Sequence, residues 1–222
     1  MSTVLLQTTY FGPVQWYQKL ARYNHCLIEQ YDSYQKQTYR NRCVIATANG
    51  LQTLTVPVEH HSQLFKVADK NTEFGNALSS QFVKDLRISD HNQWRRVHWN
   101  ALQSAYSESP FFEYYADDIR PFFEQKYEFL IDLNEAIRQK ICELIDIQPH
   151  VEHTKEYLST TNCQLSTIYD FREVIHAKHP LTDADFQPRP YWQVFQHRYG
   201  FLSNLSILDL LFCMGPEAVF YL

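Results

Sequence analysis

The chain has 222 residues, enough to bury a hydrophobic core without disulfide or metal support. Its formal net charge of −5 argues against a protein that binds nucleic acid through a broadly basic face. No apolar run approaches the roughly 20 residues that span a bilayer, and the N-terminus lacks a basic and apolar signal segment. Five scattered cysteines are typical of reduced, buried thiols. We therefore expect a cytoplasmic protein with no membrane insertion.

The first part of the chain predicts an α/β unit followed by a hairpin. Residues 4–7 and 25–29 are strand-like and flank a helical pattern over 13–23, an order that favours a parallel sheet. Two further strands, 39–47 and 51–58, meet at Asn49-Gly50, a strong hairpin signal.

Beyond the hairpin the sequence predicts a polar loop, one more strand and then a helical layer. The predicted segments are the loop 59–80, the strand 82–88, helices at 89–106, 110–118 and 122–145, a mixed stretch at 151–168, a proline-containing loop at 177–190 and a helix at 205–212. We predict a single α/β domain over residues 1–222. Its sub-regions are an α/β unit in 1–88, a helical layer in 89–148 and a mixed segment in 149–222.

A basic segment over residues 34–42 is the first candidate for a binding site. It combines the cations Lys36, Arg40 and Arg42 with the amide of Asn41, in a chain that is acidic overall. On a strand, Arg40 and Arg42 share one face and Asn41 points to the other. Two guanidinium groups on one face are suited to an anion such as a phosphate or carboxylate.

The predicted helix 89–106 carries a second candidate. His91, Trp94, Arg95 and His98 are spaced to lie on one helix face, where a plain core helix would present leucines. A histidine titrates near neutral pH, so His98 is a candidate general acid or base.

Both candidates also have a purely structural interpretation. The basic segment is explained equally by salt bridges to Glu29 or Asp32. On the helix, Trp94 is explained by packing, and the histidines by hydrogen bonds at the edge of the core.

The sequence does not predict a metal or a cofactor. The pairs His150/His153 and His176/His179 have a spacing that binds zinc on helices, but neither lies in a convincing helical pattern. The motifs of serine hydrolases, of phosphate-binding glycine-rich loops and of dinucleotide-binding folds do not occur.

Several segments together resemble the WbqC-like protein family. They are Tyr10-Phe11-Gly12-Pro13-Val14-Gln15-Trp16-Tyr17, Gln35-Lys36 with Tyr39-Arg40-Asn41-Arg42, Leu54-Thr55-Val56-Pro57-Val58, the helix motif Trp94-Arg95, His98-Trp99, Ala105-Tyr106 and Ser109-Pro110-Phe111-Phe112, and the tail Tyr191-Trp192-Gln193-Val194-Phe195, Gly200-Phe201 and Asn204-Leu205-Ser206-Ile207-Leu208-Asp209-Leu210-Leu211. Gln15 lies in the first segment and is a further ligand-binding candidate. Many members carry Gln-Pro where this chain has Thr8-Thr9, so a role of that glutamine is absent or replaced here.

The resemblance implies a bacterial cytosolic protein linked to surface-polysaccharide (O-antigen) biosynthesis. Joined to the two candidates, it leads to the hypothesis of a transferase that adds an acyl or aminoacyl group to an amino sugar or nucleotide sugar. In this hypothesis Arg40, Arg42 and Lys36 hold the anion of a sugar phosphate or nucleotide sugar, and Trp94 and Arg95 contribute to binding. Asn41 orients the acceptor, His98 accepts its proton, and Tyr106 donates a hydrogen bond nearby.

Two alternatives stay open at this point. One is a non-catalytic module that recognises a sugar phosphate or a partner enzyme of the same pathway, since aromatic side chains stack on carbohydrate. The other is an RNA-binding protein, because Tyr39 lies among arginines, although the net acidity argues against it.

Overall fold

Four short parallel strands form the central sheet of the computed structural model, which describes residues 2–59, 81–159 and 168–222. The strands of the protein are β1 (Thr3–Gln7), β2 (His25–Glu29), β3 (Arg42–Thr47), β4 (Gly50–Thr55), β5 (Val151–His153) and β6 (Ile168–Asp170). The helices are α1 (Val14–Arg22), α2 (Trp94–Tyr106), α3 (Phe112–Ile119), α4 (Pro121–Glu124), α5 (Leu130–Leu144), α6 (Gln196–Tyr199) and α7 (Ile207–Met214). The predicted loop 59–80 falls, apart from Glu59, outside the described residues.

The sheet has the strand order β5-β2-β1-β6, with every neighbouring pair parallel. The chain runs from β1 through α1 to β2 and later adds β5 beyond β2. It then returns to the other side of β1 to form β6. The order therefore reverses between β1 and β6, and in open α/β sheets ligands bind at the carboxyl ends of the strands beside such a reversal. The predicted mixed α/β class with a parallel sheet is confirmed.

The predicted hairpin is present as a separate two-stranded sheet. β3 and β4 pair antiparallel with Thr47 opposite Gly50, whose positive φ of 102° suits a residue without a side chain. Strand β3 begins only at Arg42, because the carbonyl of Tyr39 instead accepts a hydrogen bond from the backbone of Tyr10. Arg40 therefore precedes the strand, and the prediction that Arg40 and Arg42 share one face of a single strand is wrong.

Two predicted elements around the middle of the chain differ from the structure. Residues 82–88 form a short 3₁₀ turn (Val83–Asp85) rather than a strand, and the predicted helix 122–145 is divided into α4 and α5. The break occurs because the intervening chain pairs with the turn: Ile88 donates to the Glu128 carbonyl at 2.9 Å and Leu130 donates to the Leu86 carbonyl at 2.9 Å. Tertiary backbone pairing here outweighs an apolar pattern that is continuous at helical spacing.

Helix α2 starts later than predicted. Asn92 and Gln93 have positive φ, so the chain forms a 3₁₀ turn at His91–Gln93 and becomes α-helical only at Trp94. His91 is consequently not part of the helix face that the spacing predicted.

Helix α7 lies at the centre of the packing. All its residues from Ile207 to Cys213 are buried, and it contacts α1, α3 and β3. Ser206 caps it by accepting a hydrogen bond from the Leu208 N–H at 3.3 Å, and the backbone N–H of Ser206 donates to Val44 of the hairpin at 2.8 Å. The last helix of the chain thus joins the hairpin to the helices around the sheet.

The described cysteines agree with the predicted reduced state. Cys26, Cys43, Cys142 and Cys213 are buried and unpaired, whereas Cys163 lies outside the described residues. Burial raises the pKa of the Cys43 thiol to about 12, which makes it a packing group rather than a nucleophile. Within the part of the chain that the structure describes, no helix combines the length and apolarity needed to cross a bilayer.

Shortening one buried side chain of α7 is expected to destabilise the whole fold. Leu210 is completely buried, so Leu210→Ala should lower the free energy of unfolding by roughly 2–5 kcal/mol through lost burial and a residual cavity. The matched control is Leu51→Ala on the hairpin, where the leucine is 61 % exposed, and this change should cost no more than about 0.5 kcal/mol. Urea unfolding of both variants measures the difference, and equal losses would contradict the central position of α7.

Candidate functional site

The carboxyl ends of the parallel strands hold a buried cluster of charged side chains. Glu29, the last residue of β2, is completely buried and accepts hydrogen bonds from Thr154 Oγ1 at 2.8 Å and from the Leu158 N–H at 3.0 Å. The guanidinium of Arg172, just beyond β6, lies 3.3 Å from the same carboxylate and also pairs with Asp170 at 2.7 Å. These contacts compensate the carboxylate for its loss of hydration.

Arg40 of the basic segment joins this buried cluster. Its side chain is only 1 % exposed and forms an ion pair with Asp32. Burial lowers the pKa of Arg40, and the charges of Asp32 and Glu173 oppose that effect. The salt bridge to Asp32, one of the two structural interpretations of the segment, is therefore present.

Helix α5 holds the backbone of the basic segment in place through hydrogen bonds. The side-chain amide of Asn134 donates to the Arg40 carbonyl at 2.8 Å and to Thr8 Oγ1 at 3.1 Å. The amide of Asn41 donates to the Val56 carbonyl at 2.8 Å. Arg40 and Asn41 are thus rigidly held before the hairpin begins.

Arg42 differs from the other arginines at this edge of the sheet. It is half-buried, and no carboxylate among the described residues lies within ion-pairing distance of its guanidinium. Its Nε is buried and lacks a hydrogen-bond partner in the described chain. A half-buried guanidinium with an unsatisfied donor and no described carboxylate partner is suited to an anionic acceptor.

His176 lies within electrostatic range of Arg42. Its pKa is lowered from the ordinary value, first by burial and further by the charges of His179, Arg40 and Arg42, although Glu173 acts in the opposite direction. The side chain of Gln7 at the end of β1 donates to the Ile175 carbonyl, which holds this segment over the reversal between β1 and β6. Lys36 is exposed on the preceding turn, and no described carboxylate pairs with it.

The second candidate group, on helix α2, has some of its side chains in the core and others at the surface. His98 is 4 % exposed, and its Nδ1 lies 2.9 Å from the hydroxyl of Tyr10. Burial lowers the pKa of His98 to about 4, against a hydrogen bond to the backbone of Thr55 that raises it. The ring is therefore neutral at physiological pH, with the Tyr10 hydroxyl and the Thr55 backbone beside it. Trp94 is buried and packs edge-on against Tyr10 at a ring-centroid distance of 6.3 Å.

Arg95 lines a surface cleft of about 470 Å³ to which His98 does not contribute. The cleft lies between α2, α4 and Lys126, and its lining is Asp90, Gln93, Arg95, Arg96, Trp99, Arg120, Phe123, Glu124 and Lys126. Asp90 pairs with both Arg95 and Lys126, and Arg120 pairs with Glu124 at 2.6 Å. Of the cations that line the cleft, Arg95, Arg120 and Lys126 each pair with a carboxylate. Arg96 has no ion-pair partner among the described carboxylates.

Tyr106 belongs to a buried network around Asp209. Its hydroxyl donates to Asp209 at 2.9 Å, and Tyr191 and Gln193 donate to the same carboxylate at 2.7 and 2.8 Å. Burial raises the pKa of Tyr106 well above its usual range and also raises that of Asp209, which the three donors oppose. Tyr106 therefore ties α2 to α7.

Gln15 lies in a network between α1 and the C-terminal part of the chain. It donates to Asp183 at 2.8 Å and accepts from Asn204 at 3.0 Å. Asp183 also pairs at 2.7 Å with Lys19, which is 1 % exposed. This pairing compensates a charge that the fold has buried.

The structure brings only part of the predicted site together. Arg40, Asn41 and Arg42 lie at the carboxyl edge, whereas His98 lies on the other side of Tyr10, whose backbone N–H donates to Tyr39 at 3.0 Å. The roles of His98, Tyr106, Gln15, Trp94 and Arg95 stay predictions.

The sequence did not single out Arg172 or the electrostatic coupling of His176 to Arg42. Both Arg172 and His176 follow β6, and their position relative to the basic segment depends on that strand joining β1. No local pattern reveals this arrangement, because it arises only from the strand order.

Acidification is expected to destabilise the protein through His98. Its folded pKa of about 4 lies below the ordinary 6.5, so the unfolded chain takes up the proton first as the pH falls. The contribution of the neutral ring to the free energy of unfolding is fully present well above pH 6.5 and is lost as the pH falls, by roughly 1.6 kcal/mol between pH 6.5 and 5. Urea unfolding over this range should show a weaker pH dependence in His98→Gln.

The control for this measurement is His197→Gln, which removes an exposed histidine and should follow the unsubstituted protein. An unchanged pH dependence in His98→Gln would show that His98 is not buried in its neutral form.

Comparison with known proteins agrees with the resemblance found in the sequence. The chain is 25 % identical over 242 aligned residues to the uncharacterised protein Rv1507c of Mycobacterium tuberculosis, an alignment that covers 98 % of this chain and 96 % of that protein. No solved structure matches the chain significantly. The model of the WbqC-like protein family matches residues 7–185, which include β1, the basic segment, α2 and β6. The chain belongs to the WbqC-like protein family.

Proposed function

We propose that the carboxyl edge of the sheet binds the phosphate or carboxylate group of a small anionic substrate, with Arg42 as the principal ligand. The substrate class is a sugar phosphate or nucleotide sugar. The chain then acts in the cytoplasm as a transferase of surface-polysaccharide biosynthesis that adds an acyl or aminoacyl group to the sugar. The observation that carries the binding proposal is the unpaired guanidinium of Arg42 beside the strand-order reversal.

The distribution of charge around Arg42 supports this proposal. The guanidinium groups of Arg40 and Arg172 are neutralised by Asp32 and Glu29, so their ion pairs shape the edge without offering a free cation. No described carboxylate pairs with Arg42, and the positive charge of Arg42 contributes to lowering the pKa of His176. A bound anion would complement Arg42 and would favour the protonated form of His176.

The support for the transferase proposal is the family's link to surface-polysaccharide biosynthesis rather than a set of catalytic groups. In the described structure His98 and Tyr106 are both buried, and their polar atoms contact Tyr10 and Asp209. This geometry favours, as a second candidate, a non-catalytic module that binds the same sugar phosphate for a partner enzyme. Turnover separates the two: incubation with acyl donors yields a modified sugar only if the chain is a transferase.

A thermal-shift screen tests the binding proposal. Inorganic phosphate, sugar phosphates, nucleotide sugars and acyl-CoA are added to the unsubstituted protein and to Arg42→Ala. A ligand present at a concentration 100 times its Kd stabilises the native state by about 2.7 kcal/mol, which raises the Tm measurably. We expect an anion to raise the Tm of the unsubstituted protein and to lose this effect in Arg42→Ala.

The control is Arg96→Ala, which removes another arginine that has no ion-pair partner among the described carboxylates, from the α2–α4 cleft. It should retain the full shift. A shift lost in Arg96→Ala but kept in Arg42→Ala would move the anion site to the cleft, and the absence of any shift would refute anion binding. Arg40 is not a suitable test position, because its removal leaves Asp32 unpaired and so alters folding.

A further inference from the structure

Three metal-ligating side chains meet at the opposite, amino-terminal end of the sheet. They are His25 at the start of β2, His150 just before β5, and Glu152 within β5. One donor atom from each lies within 4.8 Å of the other two. Glu152 approaches the Nε2 atoms of His25 and His150 at 3.7 and 3.6 Å, and the two rings lie 4.8 Å apart between centroids.

Strand geometry explains why these residues share a site. Side chains alternate between the faces of a strand, so His150 and Glu152, two residues apart, point to one face of the edge strand β5. Leu27 of β2 lies opposite Glu152, and His25, two residues before Leu27, lies opposite His150, whose carbonyl accepts the Cys26 N–H at 2.9 Å. The register therefore brings both imidazoles and the carboxylate together on one face.

The contacts within the cluster leave one of its atoms unsatisfied. The Nε2 of His25 is buried and forms no hydrogen bond in the described structure, which costs free energy unless another partner is present. His150 and Glu152 are exposed over 67 % and 58 % of their side chains, so both are free to move toward a common centre. A cleft of about 370 Å³ opens beside His150 and gives access from solvent.

We propose that His25, His150 and Glu152 form a binding site for a divalent transition-metal ion of the zinc type. Two imidazoles and one carboxylate suit this class of ion, whereas magnesium and calcium prefer oxygen ligands alone. Ligand atoms around tetrahedral zinc are roughly 3.4 Å apart, so closure from the present separations requires only side-chain rotation at the exposed residues. Three protein ligands leave at least one coordination position for water or another ligand.

The proposed metal site is not the His150/His153 pair, whose spacing along the chain is typical of zinc sites on helices. The pair His150/His153 has a zinc-like spacing, but three residues along a strand place the two side chains on opposite faces. His153 instead lies 3.6 Å from Glu135 of α5. Glu152, not His153, is therefore the partner of His150.

Zinc binding by the full chain tests the proposal. The protein is stripped with a chelator and titrated with Zn²⁺, and Co²⁺ substitution reports the coordination geometry through its visible absorption. We expect one equivalent of zinc per chain, and a loss of affinity of at least about tenfold in both His150→Ala and Glu152→Gln. Both residues are exposed, so neither change endangers folding.

The matched control is His153→Gln, which removes the other histidine of the spaced pair and should retain the affinity. An unsubstituted protein that binds no zinc would overturn the proposal. Equal affinities in all variants would also overturn it, as would a loss in His153→Gln alone, because the cluster would then be a set of hydrogen-bonding or ion-pairing groups only.

Discussion

The pairing of buried charges at the carboxyl ends of the strands is the constraint on which this structure depends. Glu29 and Arg40 are almost completely removed from water, and a lone buried charge would cost several kcal/mol. Arg172 and Asp32 compensate them and in doing so join β6 and the basic segment to β2. Arg42 is left in this neutralised setting as a cation without a partner in the described chain. The same charge pairs thus hold the carboxyl edge of the sheet together and leave Arg42 there to attract an anion.

The surrounding helices hold this edge in place from distant parts of the chain. Asn134 of α5 binds the Arg40 carbonyl, and the segment before α7 binds the hairpin through Val44. Helix α7 lies beyond residues 7–185, the part that the family model matches, yet its side chains fill the centre of the core. The C-terminal segment therefore completes the fold that presents the matched residues.

The sequence allowed the elements with strong local signals to be predicted. The apolar strands β1 and β2 and the Asn-Gly hairpin are present because short apolar runs and turn chemistry determine them locally. The split between α4 and α5 could not be predicted, since residues 125–129 pair with a distant turn. The basic segment was recognisable from composition alone. The hydrogen-bond partner of His98 and the electrostatic coupling of His176 to Arg42 were not, because both arise from tertiary structure that no spacing encodes.

Anion binding by Arg42 is tested most directly by a crystal structure of the protein soaked with tungstate, an electron-dense analogue of phosphate. We expect a tungstate ion against the guanidinium of Arg42, at the carboxyl ends of β1 and β6. An ion bound instead among Arg95, Arg96 and Trp99 in the cleft, with the position at Arg42 empty, would contradict the assignment of Arg42 as the anion ligand.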